Sequence, residues 1–241
     1  MNTRANAFLA AAVLICMIPA AAFALSPYSE DFETLNQSDT GALGAAGWLV
    51  FGNVFDPMGG YLYGYGVFPA PNDGGGFCQI VLGEGGGDQG FQQFVSFSDY
   101  NNADHGNGNI IEANVFQEQL IGPGDVTETW IFDFDAKMGN LEGGSTALAF
   151  IKTLDPAAGY ATTNFITLDT TNIPATWGSY SLQITIDGSL DGQLLQIGFS
   201  NKATNYEGSG VFYDNINFYI DETGPVPNED KAWGDLKALY R

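Results

Sequence analysis

Three tyrosines at alternate positions, Tyr61, Tyr63 and Tyr65, stand in the glycine-rich run from Gly59 to Gly66. In an extended chain side chains alternate, so this spacing predicts that all three rings project to one side. Aromatic rings with little bulk around them can stack on the apolar C–H faces of a sugar. Amides and carboxylates at the rim can then take its hydroxyls. Tyr160 and Tyr206 fall in other loops, and Asn201 and Asn205 flank the latter as candidate polar partners. Trp48 and Trp130 could line a concave face. The competing reading makes Trp48 a core anchor and packs Trp130 with Phe132 and Phe134.

Signals for catalysis are weaker. Asp133 and Asp135 share one strand face and have the chemistry of paired carboxylates. Two acids at i, i+2 on a solvated face also serve solubility, and no E-x-D-x-x-E motif occurs. His105, the only histidine, sits in the turn cluster Asn101 to Asn109, and no Ser–His–Asp or zinc-ligand set can be assembled around it. Residues 101–112 resemble a calcium loop with Asp104 as a ligand candidate. Gly106 and Gly108, however, stand where side-chain oxygens are needed. The run Gly83 to Gly87 lacks the lysine and helix of a phosphate loop. The sequence predicts a protein that is not an enzyme.

Acidic residues number 28 against 7 basic ones, a net charge of −21. Nucleic acid is excluded as a partner, since binding phosphates needs clustered Lys and Arg. Anionic lipid surfaces are disfavoured for the same reason. The carboxylates suit either solubility in an extracellular medium or binding of Ca²⁺, which prefers oxygen ligands. Residues 1–24 read as a signal peptide: Arg4, the apolar run Phe8 to Ile18, then Ala22-Phe23-Ala24 as a cleavage site. The run is too short to span a bilayer, so the expected location is extracellular, cell-surface or periplasmic. Ile15 before Cys16 argues against a lipoprotein. Cys78 is then the only cysteine left, expected as a buried, inert thiol.

Alternating apolar and polar residues mark the strands that must position these side chains. They are expected over Tyr28–Thr34, Gly47–Asp56, Phe77–Leu82, Phe91–Ser98, Thr146–Leu154 and Phe165–Leu168. Asn109–Ile121 and Val126–Lys137 read as a long hairpin across Gly122-Pro123-Gly124, and Pro57–Gly76 as a decorated loop or irregular hairpin. In the second hairpin arm Trp130, Phe132, Phe134 and Ala136 share a face. Strands at this spacing indicate an all-β antiparallel sandwich or jelly roll over residues 25–221. A linker, 222–227, leads to a short amphipathic tail, 228–241, with Trp233, Leu236, Leu239 and Tyr240 at helical spacing.

The last strands run WGSYSLQITID, LLQIGFSN and GSGVFYDNINFYI. This order, W-x-x-Y-x-L, an I-G-F strand and a closing V-x-Y-D-N-I-x-F strand, resembles the jelly-roll carbohydrate-binding modules, galactose-binding-like and family 4/9-type. The tail resembles the short W-G-x-h-K-x-h-Y-R ends (h, apolar) of some bacterial secreted proteins. The resemblance implies non-catalytic binding of an extracellular polysaccharide or other glycan. On the residues above, Tyr61, Tyr63, Tyr65, Trp130, Tyr206 and Asn201 would contact it. It also implies a structural Ca²⁺ tying the first strand to the last, at Glu33 and Asp214. Strict alternation puts Asp214 on the apolar face with Phe212, Ile216 and Phe218, where a lone carboxylate is costly. The alternatives are a surface or filament subunit self-associating through free sheet edges and, more weakly, a polysaccharide-active enzyme.

Overall fold

The computed structural model describes residues 24–223. The chain is an all-β antiparallel sandwich of two six-stranded sheets. The first sheet runs β10 (Gly178–Thr185), β7 (Thr129–Met138), β12 (Val211–Ile220), β5 (Gln92–Ser96), β4 (Cys78–Leu82). The short β1 (Tyr28–Glu30) pairs with the far half of β12, at Ile216 to Phe218, while β5 pairs with its near half, at Val211 to Tyr213. The second sheet runs β3 (Tyr61–Pro69), β2 (Leu49–Phe55), β6 (Ile110–Leu120), β11 (Leu194–Ala203), β8 (Thr146–Asp155), β9 (Ala161–Asp169). Residues 1–23 of the expected signal peptide 1–24, and the expected tail over 228–241, lie outside the described residues. No helix among the described residues is long and apolar enough to cross a membrane.

Aromatic side chains from both sheets fill the space between them. Trp48 stacks on Phe94 with ring centres 5.3 Å apart, and Phe199 lies against Tyr213 at 3.6 Å. Phe132 and Phe134 pack side by side at 5.0 Å, and Trp130 stacks on Phe218 at 4.8 Å. Each such side chain is worth about 1.5–3 kcal/mol when removed from water. Cys78 is buried and unpaired, and burial raises its thiol pKa, so it is held as a thiol.

Three expectations need correction. β6 and β7 are not a hairpin: β6 pairs with β2 and β11, β7 with β10 and β12. A 3₁₀ turn at Pro123–Asp125 carries the chain from one sheet to the other. The first strand stops at Glu30, because Phe32 has φ of 59° and turns the chain away. Strict alternation also fails in β12. The pairing with β7 shifts between Asp214 and Asn217, and Asn215 has φ of 48°. Asparagine tolerates that left-handed conformation, which marks a β-bulge. The bulge changes parity, so Val211 and Tyr213 join Ile216 and Phe218 in the core, whereas Phe212 stays partly exposed.

Candidate functional site

Every strand of the second sheet sends alternate side chains to its outer face, and these line a groove of about 550 Å³. Its walls reach from Gly66 and Val67 on β3 to Thr162 on β9, with exposed Tyr160 beside it. Six strands at about 4.8 Å spacing make that path roughly 24 Å. Phe116 and Phe150 face each other across Gly198, to which both are paired. A Cβ on Gly198 would strike the Val115 carbonyl and Phe116, so only glycine lets the strands meet there. Phe51 and Asn53 of β2 continue the lining.

The neighbouring rung is polar. Glu118, Gln196 and Lys152 are direct cross-strand partners. Gln196 Nε2 donates to Glu118 Oε2 at 2.7 Å, while its buried Oε1 has no hydrogen-bond partner among the described residues. The Lys152 ammonium lies 5.0 Å from the centre of the Phe150 ring and 5.9 Å from that of Phe116. Burial pushes its pKa down, and Glu112 and Glu118 offset part of that fall. On the other side of Gly198, two same-face rungs along, the Lys202 ammonium pairs with Glu112 Oε2 at 2.8 Å, and Asn53 Nδ2 donates to Glu112 Oε1 at 2.9 Å. The groove therefore offers aromatic floor, amides and one ammonium, all on strands.

The tyrosine row is split. The pairing of β2 with β3 slips between Val54 and Phe55, so Tyr63 pairs with inward-facing Val54, whereas Tyr61 pairs with outward-facing Phe55. Tyr61 packs against Phe55 at 5.7 Å. Tyr63 and Tyr65 donate their hydroxyls to Asp104 and Asp99, each at 2.6 Å. The three rings thus do not share a side, as strict alternation predicted. Trp130 is fully buried and presents no surface to a sugar. Asn201 is also buried; its Nδ2 donates to the Ser209 carbonyl at 2.6 Å, and its Oδ1 accepts from Ser96 Oγ at 2.7 Å. Tyr206 is exposed and rests its ring on buried His105, with ring centres 4.9 Å apart.

A separate acidic site forms where β1 ends and β5 begins along β12. Glu33 Oε1 accepts from the backbone N–H groups of Phe91 and Gln92, both at 2.7 Å. Gly90 has φ of +58°, and a Cβ there would collide with the Glu33 carboxylate. Asp214, at the bulge, is 1% exposed. Its Oδ1 accepts from Asn215 N at 2.7 Å, and its Oδ2 has no partner among the described residues. Burial first, then the field of Asp31, Glu33 and Asp135, pushes the Asp214 pKa up to about 7. Among the described residues no three His, Cys, Asp or Glu side chains converge as a metal-binding group. A cation here would thus rest on Asp214 and Glu33 plus backbone oxygens, and Ca²⁺ accepts such sets. The orphan Oδ2 and the oxygen-only chemistry fit that ion.

No family model matches this chain, and neither does any curated protein. Among solved structures it is similar to a Stig cyclase from Fischerella sp. TAU, at 14% identity, 81% of this chain, 98% of that chain and a TM-score of 0.46. It is similar to the C-terminal family 22 carbohydrate-binding module of Clostridium thermocellum Xyn10B, at 13% identity, 81% and 94% coverage and a TM-score of 0.41. A third is the enzymatically active domain of bacteriophage CBA120 tailspike protein 4, at 15% identity and a TM-score of 0.42; 79% of this chain matches 22% of that one.

Sequence reasoning missed the groove residues Phe51, Phe116, Lys152 and Gln196. Each sits at an outward position of its strand, a signal visible in the alternation. That they converge depended on strand order, which alternation does not encode.

Proposed function

We propose that this is a secreted, non-catalytic protein that binds an extracellular glycan in the groove of the second sheet. The observation that carries the reading is the groove's make-up. A floor of half-buried Phe51 beside buried Phe116 runs next to a buried amide oxygen on Gln196 that lacks a donor among the described residues. A sugar supplies a C–H face for the first and a hydroxyl for the second. Lys152 donates to a further ring or hydroxyl oxygen, and exposed Tyr160 is free to stack. Glu118, the carboxylate in the lining, already accepts from Gln196, which supports binding over acid–base chemistry. Ca²⁺ at Asp214 and Glu33 would pin β1 and the start of β5 to β12, acting on stability and not on the sugar.

A glycan array followed by titration calorimetry tests this. Gln196→Ala and Tyr160→Ala are expected to weaken the best ligand at least tenfold each, with Tyr63→Phe unchanged. Loss of binding with Tyr63→Phe and retention in both groove variants would move the site to the other face.

One feature favours a second reading, a self-assembling surface subunit. The edge strand β3 carries no charged residue and exposes Leu62, Val67 and Phe68, although natural edges are commonly blunted by charge. Concentration-dependent sedimentation with no glycan bound would support it.

A further inference from the structure

Asp125 is a buried carboxylate, 2% exposed, in the 3₁₀ turn between β6 and β7. Both its oxygens accept from the backbone nitrogen of Leu25, each at 3.0 Å, and Oδ2 also accepts from Gly122 N at 2.8 Å. Among the described residues no cation pairs with it. A buried carboxylate with only neutral donors is costly. Leu25 and the residue after it are held firmly. Leu25 is buried in the core, and Ser26 exchanges two hydrogen bonds with the Gln119 amide, N–H to Oε1 at 2.7 Å and Nε2 to the carbonyl at 2.9 Å. Ala24, immediately before, is exposed.

We infer that the protein is processed between Ala24 and Leu25 and that Asp125 is the receptor for the α-ammonium so created. Hydrolysis by a leader peptidase adds water across the Ala24–Leu25 amide: the hydroxyl goes to the Ala24 carbonyl carbon, and the nitrogen gains protons to become an ammonium. The same nitrogen already lies against both carboxylate oxygens, so cleavage turns a neutral donor into the missing counter-ion without moving the chain. Beyond the apolar run Phe8 to Ile18 the sequence offers two A-x-A frames, Ala20-Ala21-Ala22 and Ala22-Phe23-Ala24. Only the second delivers the charge to Asp125; the first leaves it two residues away. Folding is thereby coupled to correct maturation.

The pairing has a pH signature. An α-amino group titrates near 8 when free, and a buried carboxylate partner raises that value. The stabilisation is therefore complete below about pH 8 and lost as pH rises through the raised value. Gln119, Ser26 and Gly122, the other polar neighbours of this nitrogen and of Asp125, do not titrate.

The test exports the full chain from a bacterial host and reads the mature N-terminus by intact mass and sequencing; Leu25 is expected. Thermal midpoints are then compared for chains starting at Leu25, at Ala24, and at Leu25 after N-acetylation. The Leu25 form is expected to melt several degrees higher at pH 7 and to lose that margin by pH 10. Asp125→Asn is expected to erase the difference between forms; if it does not fold, the acetylated form still decides. A mature protein starting at Phe23, or equal midpoints with the same pH profile, would overturn the inference.

Discussion

Glu112 and Asp214 are both carboxylates held out of water by a β-sheet, yet their surroundings push them in opposite directions. Burial would raise both. At Glu112 the Lys202 ammonium and the Asn53 and Asn114 amides outweigh burial, and the carboxyl titrates below its ordinary value. At Asp214 one backbone N–H is the only donor, and Asp31, Glu33 and Asp135 add to the penalty. A buried charge is tolerated when its partner is present in the fold. Glu112 carries its counter-ion on the neighbouring strand. Asp214 has an oxygen that nothing in the described chain satisfies, which is the physical case for an external cation.

The comparison breaks hardest at the cation. At a hundred times its dissociation constant Ca²⁺ is expected to add about 2.7 kcal/mol to unfolding. Chelation should remove that increment, and Asp214→Asn should abolish it. A midpoint indifferent to Ca²⁺ and EGTA would leave Asp214 simply protonated. Next comes Lys202. Lys202→Met is expected to destabilise the protein by about 1 kcal/mol, since Glu112 loses its counter-ion but keeps the Asn53 and Asn114 donors, and the Lys202 side chain is partly exposed. Chemical denaturation reads this, and no measurable loss would mean the pair is only a surface contact.

The smallest effect is the pH slope. In EGTA, Asp214 holds its proton in the folded state up to about pH 7 but only to about 4 when unfolded. Its contribution is thus present below pH 4 and lost as pH rises through 7. Glu112 acts the other way: its contribution is present above its ordinary range and lost as pH falls through the depressed folded value. Subtracting the melting profile of Asp214→Asn from that of the unaltered protein isolates the first slope. A difference that rises with pH would reverse the assignment.

Much of this was legible in the chain. Alternation in Thr129–Met138 and Gly178–Thr185 identified strands and their buried faces, because a half-buried strand must repeat every two residues. The pairing of Glu33 with Asp214 came from a family resemblance, and the structure brings them into one electrostatic neighbourhood. Two of the misreadings share a cause. Two bulges, at Asn215 and beside Tyr61, add a residue on one strand only. Each flips every side chain beyond it, so Tyr61 parts from Tyr63, and Val211 changes sides relative to Ile216. A bulge leaves no mark on periodicity beyond an asparagine or glycine that could equally sit in a turn. Trp130 and Asn201 were offered as ligand contacts because sequence does not separate a buried aromatic or amide from an exposed one. Asn201 is tied to Ser96, 105 residues away, and to Ser209 in the loop before β12.

By itself the sequence determined the all-β class, most of the strand segments and the acidic character, since these follow from local pattern and summed charge. Tertiary structure alone decided which sheet each strand enters, where Lys152 and Gln196 meet Phe116, and that Asp125 lies against the nitrogen of Leu25. Those depend on pairing between residues as far apart as Tyr28 and Phe218, and local periodicity carries no information about which strands become neighbours.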